Sequence, residues 1–111
     1  MDWPYVCIFE DDAYPIENIN NELDYYLREI PSSCACLILG NSRILNASDF
    51  NDRLFNHVSS YGSQSYIVFQ EYYDKYVRFL DNSKYADAFA TTKDGILPKS
   101  AFFMTKKVLF I

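Results

Sequence analysis

The sequence predicts an α/β domain with a small mixed β-sheet and two main helices. Two apolar runs of strand length, Tyr5 to Phe9 and Ala35 to Leu39, support this fold class, and a segment with helical spacing of apolar residues separates them. A strand–helix–strand order is typical of a βαβ unit with a right-handed crossover. With 111 residues the chain is long enough for one domain, which we expect to span residues 1–111.

The first half of the chain gives clear boundaries. Pro15 breaks the backbone after the first strand, and Asn18 is a residue type that caps helices. Apolar side chains then recur on one helical face, at Ile19, Leu23, Tyr26, Leu27 and Ile30. Pro31 ends this helix, and Gly40-Asn41-Ser42 is predicted to close the second strand.

The second half is less regular. The polar stretch from Arg43 to Ser60 is predicted to hold an irregular loop and one short strand. The other predicted elements are a strand from Ser65 to Phe69, a helix from Glu71 to Leu80, a short helical turn from Tyr85 to Thr91, and strands from Ala101 to Met104 and from Val108 to Ile111.

Composition narrows the class of partner. The chain is 50% hydrophobic and 18% aromatic, which indicates a folded protein. Its net charge is −5, and between Glu10 and Asp24 there are six acids and no basic residue, so no nucleic-acid partner is expected. Four lysines against one aspartate between Lys93 and Ile111 leave weak peripheral membrane association open.

Cysteine usage and hydropathy point to a compartment. The odd set Cys7, Cys34 and Cys36 does not suggest a disulfide framework, which favours a reducing, cytoplasmic location. The spacing of Cys34 and Cys36 does not match a usual zinc knuckle, and His57 is predicted to be solvated. No apolar run approaches the ~20 residues of a transmembrane helix.

Three consecutive carboxylates, Glu10, Asp11 and Asp12, follow the first strand. Ligands bind at the carboxyl ends of strands in open α/β sheets, and a divalent cation would relieve the mutual repulsion of the three acids. Strand alternation would pair Glu10 with Asp12 on one side, whereas a turn at Asp11 would change this pairing. The competing interpretation is a solvated strand end.

The ordered motifs resemble glycosyltransferase family 25, the lipooligosaccharide and procollagen galactosyltransferase group. The resemblance covers nearly the whole chain and is carried by Phe9-Glu10-Asp11-Asp12-Ala13, Leu37-Ile38-Leu39-Gly40, Gly62-Ser63-Gln64-Ser65-Tyr66-Ile67-Val68, the helix from Glu71, Tyr85-Ala86-Asp87-Ala88-Phe89 and Val108-Leu109-Phe110-Ile111. It matches the carboxyl-terminal portion of family members. It therefore implies part of a nucleotide-diphospho-sugar transferase (GT-A-like) fold, with the amino-terminal nucleotide-binding half absent.

The resemblance also implies an activity and a set of site residues. The activity would be metal-dependent transfer of a sugar from a UDP-sugar donor to a saccharide acceptor, with inversion, in lipooligosaccharide or surface polysaccharide synthesis. Mn²⁺ or Mg²⁺ would be held by Asp12 with Asp11 or Glu10 and would neutralise the departing diphosphate. Asp87 would be the catalytic base or a further metal ligand, and Gly62 and Tyr66 would line the donor or acceptor pocket.

Alternatives to these roles stay open. Asp87 also fits a surface acid, and Gly62 to Tyr66 also fits a plain turn into a core strand. A truncated, inactive transferase is one alternative for the chain, and a small acidic cytosolic protein-binding module is another. An exposed strand edge at the missing half of the sheet predicts a homo-oligomer.

Overall fold

The computed structural model of the protein describes residues 3–82 and 99–111. The helices and strands in this part of the chain are β1 (Tyr5–Phe9), α1 (Ile19–Glu29), β2 (Cys36–Asp49), β3 (Leu54–Phe69), α2 (Tyr73–Asn82) and β4 (Phe102–Thr105). Short 3₁₀ turns lead into α2 and β4. The predicted small mixed α/β domain with two helices is therefore confirmed, whereas the predicted turn from Tyr85 to Thr91 lies outside the described residues.

The four strands form one mixed sheet in the order β1-β3-β2-β4. β3 runs antiparallel to both β1 and β2, while β4 runs parallel to β2. β1 and the start of β2 thus point the same way with the end of β3 between them. The predicted strand–helix–strand unit is present, but its two parallel strands are separated by a third.

β2 and β3 form a long hairpin that was not predicted from the sequence. The prediction that Gly40-Asn41-Ser42 closes the second strand is wrong, because β2 continues to Asp49. The irregular loop predicted over Arg43 to Ser60 is also wrong, since most of that stretch belongs to the two hairpin strands. Several register shifts interrupt the pairing of β2 with β3. Such bulges bend a strand pair.

The bend lets the hairpin contact both edges of β4. The first residues of β2, Cys36–Ile38, pair with one edge of β4, and the first residues of β3, Leu54–Asn56, pair with the other. Asn56 adds hydrogen bonds from its side-chain amide to the carbonyl oxygens of Ser100 and Phe102, at 2.9 and 3.3 Å. β4 is therefore enclosed by the two starts of the hairpin strands.

Alternate residues of β2 supply the two hydrophobic clusters of the core. Leu37 and Leu39 pack in the cluster that contains Tyr26 of α1, and Cys36 and Ile38 pack in the other. The sheet is buried on both faces at the start of β2. This explains why the sequence of this strand is continuously apolar there and does not alternate with polar residues.

The apolar face predicted for helix α1 is the face that packs against the sheet. Its apolar side chains all pack against the Tyr26 cluster. Asn18 occupies the cap position in a left-handed conformation, but it makes no side-chain capping bond. The backbone closes the first turn instead, with the Glu22 N–H donating to the Asn18 carbonyl at 3.0 Å. Neither helix in the described residues is long and apolar enough to cross a membrane.

Candidate functional site at the carboxyl end of β1

The three acids of the predicted site lie in a tight turn. β1 ends at Phe9, and the Ala13 N–H donates to the Glu10 carbonyl at 3.1 Å, which closes a turn around Asp11 and Asp12. All three carboxylates are exposed. Because the extended backbone stops before the acids, strand alternation does not decide which two of them face the same way. The alternative of a turn at Asp11 is the one that the structure shows.

The chain that leaves the turn is fastened to the carboxyl-terminal segment. Tyr14 and Ile111 exchange two backbone hydrogen bonds, of 3.0 and 2.8 Å, and the Ile16 N–H donates to Leu109 at 3.0 Å. Leu109 in turn donates its N–H to the Leu39 carbonyl at 2.9 Å, at the position where β2 leaves the apolar core. The predicted strand from Val108 to Ile111 is only an isolated bridge between Pro15 and Phe110.

Aromatic and apolar side chains border the acidic turn. The rings of Phe9 and Phe110 stack with centroids 5.8 Å apart and an interplanar angle of 18°. Phe9 keeps 57% of its surface exposed, and Tyr14 and Ile111 each keep 72%. Carboxylates beside exposed rings can bind a ligand that has both hydroxyl groups and an apolar face: the carboxylates accept hydrogen bonds from the hydroxyls, and a ring packs against the apolar face. The carboxylates and the rings also attract cationic groups.

Gly40 allows the backbone of Phe110, which borders the acidic turn, to pack closely against β2. A Cβ atom at this position would lie 2.5 Å from the carbonyl oxygen of Phe110. Only glycine lets the Phe110 backbone come this near to β2. The Leu39-Gly40 motif singled out in the sequence thus has a structural role at the same edge of the sheet as the acids.

The Gly62 to Tyr66 segment reaches this edge within β3. Ser65 pairs with Phe9, and Tyr66 pairs with Ile8 on one side and Ile38 on the other. Tyr66 is buried, with 5% of its surface exposed, so its ring lies in the core. Gly62 precedes these residues in β3. The structure brings the segment beside the acidic turn, and a pocket-lining role for Gly62 and Tyr66 stays a prediction.

Ser65 is a polar residue near the turn that sequence reasoning did not single out. It is fully buried, and its hydroxyl oxygen has no hydrogen-bond partner among residues 3–82 and 99–111. A buried hydroxyl without a partner costs free energy. The signal in the sequence was a serine directly beside the apolar run Tyr66-Ile67-Val68.

The acids fit a divalent cation only as an open site. Among residues 3–82 and 99–111 no group of three His, Cys, Asp or Glu side chains is arranged to hold a metal ion. Mg²⁺ is commonly bound by one or two carboxylates, with substrate phosphates and waters completing its shell. Glu10, Asp11 and Asp12 can supply that minimal set, and Asp87 lies outside the described residues.

The cysteines do not add to a metal or nucleophilic site. Burial raises the pKa of the Cys34 thiol to about 12 and raises the pKa of Cys36 well above its ordinary value. Burial also raises the pKa of Cys7. A thiol that stays protonated at neutral pH is a poor nucleophile and a poor ligand.

A concave surface lies away from the acids, at the tip of the β2–β3 hairpin. Asn51 Oδ1 accepts hydrogen bonds from the N–H groups of Arg53 and Leu54, both at 2.9 Å, which shapes the tip. The Arg53 guanidinium lies 4.2 Å from the centre of the Tyr25 ring on α1. The open cleft between them has a volume of about 230 Å³. This tip lies beside β4, which is at the opposite end of the strand order from β1 in the described part of the chain.

Comparisons with protein-family models, with curated proteins and with solved structures found no significant match for this chain.

Proposed function

We propose that this domain is glycosyltransferase-like and takes part in hexose transfer from a UDP-sugar to a saccharide hydroxyl, in lipooligosaccharide or surface polysaccharide synthesis. The observation that carries the proposal is the exposed turn of Glu10, Asp11 and Asp12 at the carboxyl end of β1. This is the end at which α/β sheets bind ligands. A GT-A-like relationship of the sheet is part of the same proposal.

Each residue at the turn has a defined task in this proposal. Asp12 with Asp11 or Glu10 would hold Mn²⁺ or Mg²⁺, which supplies charge neutralisation to a departing diphosphate. The exposed rings of Phe9 and Tyr14 would pack against a sugar and orient it. Asp87 would take the proton of the acceptor hydroxyl or complete the metal site. Gly62 would shape the pocket wall, and the buried ring of Tyr66 would support that wall from the core.

An open two-carboxylate site should bind metal weakly unless phosphates are present. We therefore expect Mn²⁺ alone to leave the melting temperature nearly unchanged. Mn²⁺ together with UDP-galactose or UDP-glucose should raise it. A ligand at about 100 times its dissociation constant stabilises the folded state by roughly 2.7 kcal/mol.

Matched variants locate the effect. The double variant Asp11→Asn, Asp12→Asn keeps the size of both side chains and should abolish the joint shift with Mn²⁺ and UDP-sugar. Asp74→Asn on α2 removes one exposed carboxylate elsewhere and should retain it. No joint shift with either donor, or an equal shift in both variants, would refute a donor site at this turn.

A second candidate is the acidic protein-binding module. The observation that favours it is the combination of three carboxylates with the exposed Phe9, Tyr14 and Ile111, which matches an amphipathic basic segment. A Lys- and Leu-rich helical peptide, titrated against isotope-labelled protein, should then shift the amide signals of residues 9–14. The shifts should weaken with salt. Peptide binding without any response to Mn²⁺ and UDP-sugar would favour this function over sugar transfer.

A further inference from the structure

Strand β1 has one free edge in the described part of the chain, where it pairs with β3 alone. The Gln70 N–H donates to the Pro4 carbonyl at 3.0 Å, which fixes the direction of the backbone groups along the strand. Since these groups alternate, Val6 and Ile8 direct theirs toward β3. Tyr5, Cys7 and Phe9 therefore direct their N–H and C=O groups to the free edge.

This edge lacks the features that usually prevent strands from pairing with other chains. The five residues of β1 include no charge and no proline, and their register with β3 runs without a bulge from Tyr5 to Phe9. Natural edge strands are protected by such interruptions. The exposed rings of Tyr5 and Phe9 add apolar surface at the two ends of the strand, and the exposed ring of Trp3 lies just before it.

We propose that a second copy of this chain pairs with the free edge of β1, antiparallel and about a two-fold axis at Cys7. The order of residue types in β1 is the same in both directions: aromatic, β-branched, cysteine, β-branched, aromatic. Pairing about Cys7 therefore sets Tyr5 opposite Phe9 and Val6 opposite Ile8. The pairs Tyr5–Phe9, Cys7–Cys7 and Phe9–Tyr5 each exchange both backbone bonds, giving about six new hydrogen bonds.

Charge selects the antiparallel orientation. In a parallel pairing the two turns of Glu10, Asp11 and Asp12 would lie side by side. In the antiparallel pairing Glu10 lies opposite Pro4 of the second copy. The two Glu10 residues are then separated by six residues along the strand, or about 20 Å. That distance exceeds the screening length of about 8 Å at physiological salt, so the two clusters repel little.

The size of the contact sets the expected affinity. A five-residue strand with two exposed aromatic rings buries less than a standard protein interface, so the dimer should be weak, with a dissociation constant in the micromolar range. The inference does not depend on sugar transfer, because both acidic turns stay at the outer ends of the paired strands.

Sedimentation velocity over a concentration series from about 1 to 500 µM tests the pairing. The average mass should rise from 13.0 kDa toward twice that value. The double variant Tyr5→Lys, Phe9→Lys places like charges opposite each other and should stay monomeric. The variant Tyr5→Lys, Phe9→Glu places opposite charges there and should regain the dimer, and circular dichroism checks that both variants are folded.

Cysteine cross-linking tests the register. Facing residues in such a pair have Cα atoms about 5.5 Å apart, which lies within the range of disulfides. Mild oxidation of the wild type at alkaline pH, where a larger share of the half-buried Cys7 thiol is ionised, should give a disulfide-linked dimer, and Cys7→Ser should give none. A monomer throughout the concentration series, a dimer that survives Tyr5→Lys, Phe9→Lys, or cross-linking that survives Cys7→Ser would each overturn the proposal.

Discussion

Gly40 of β2 and the backbone of Phe110 lie so close together that a single added methyl group would reach within 2.5 Å of the Phe110 carbonyl oxygen. The ring of Phe110 stacks in turn on Phe9, the last residue before the acids. Phe110 therefore links Gly40 to Phe9, the residue that precedes the acidic turn.

The first prediction concerns this close approach. Gly40→Ala should lower the free energy of unfolding by about 2 kcal/mol, because neither backbone can move aside without disturbing the sheet. Urea denaturation measures the effect. Ser48→Ala, an exposed change on the same strand, should alter stability by less than about 0.5 kcal/mol. A stability of Gly40→Ala equal to that of wild type would show that the carboxyl-terminal segment is not held against β2.

The second prediction concerns the unpartnered hydroxyl of Ser65. Removing a buried hydroxyl that makes no hydrogen bond within the described part of the chain relieves its desolvation cost, so Ser65→Ala should be neutral or stabilising by up to about 1 kcal/mol. Thermal unfolding followed by circular dichroism gives the sign. Asn56→Ala is the informative contrast, since it removes two hydrogen bonds in the core and should destabilise by about 1–3 kcal/mol. A loss in Ser65→Ala as large as in Asn56→Ala would mean that the hydroxyl has a partner.

The third prediction concerns His57, which has a φ of 54°. Two residues, His57 and Val58, lie opposite Ala47 at this register shift, so His57 occupies a bulge in β3. A β-branched residue is strained in the left-handed region, and His57→Val should cost about 1–2 kcal/mol. His57→Asn should keep wild-type stability, because asparagine tolerates this conformation. If valine and asparagine gave the same stability, the bulge would not be present in solution.

The fourth prediction concerns the buried thiols. Cys34 has an ordinary pKa of 9.0 that burial raises to about 12 in the folded state. Below pH 9 both states keep the proton, and the stability is unaffected. Between pH 9 and 12 the unfolded chain loses the proton while the folded chain keeps it, so the free energy of unfolding falls as pH rises.

Comparison of wild type with Cys34→Ala isolates this contribution, because lysine and tyrosine titrations are common to both proteins. The decrease in unfolding free energy from pH 8 to pH 10 should be smaller in the variant by roughly 1.4 kcal/mol. Parallel pH profiles for the two proteins would contradict burial of the Cys34 thiol. Cys34 and Cys36 should also resist alkylation at pH 7.5 until urea unfolds the chain.

The fifth prediction concerns the contact between Arg53 and Tyr25 at the hairpin tip. A double-mutant cycle with Arg53→Gln and Tyr25→Leu should give a coupling energy of about 0.5–1 kcal/mol, the range for exposed cation–π pairs. The same cycle with Lys75→Gln and Tyr72→Leu, whose charge lies 5.8 Å from the ring centre, should give a smaller value. Zero coupling for the closer pair would show that the tip does not dock on α1.

The residues that could be assigned from the sequence are those with a strong local signal. Ile19, Leu23 and Leu27 defined α1 by their spacing, and Tyr5 to Phe9 defined β1 by their apolar run. The helix expected from Glu71 to Leu80 is present as α2, shifted by two residues at each end.

The hairpin had no such signal. Arg43 to Ser60 is rich in Asn, Ser and Asp, which have low strand propensity, and its strands are specified by distant partners such as Phe103 and Met104 of β4. The acids could be placed at a strand end, but the turn closed by Glu10 and Ala13 depends on one backbone hydrogen bond that no residue pattern marks.

The position of β4 between the two starts of the hairpin strands has a consequence for how the chain folds. Cys36–Ile38 and Leu54–Asn56 each meet β4 across a gap of about 50 residues or more along the chain. Closing such large loops costs entropy before the contacts form, and proteins dominated by long-range pairing fold slowly. On the ribosome, the starts of both hairpin strands would lack this pairing partner until Phe102–Thr105 emerges, so strands made early would be completed by a segment made much later.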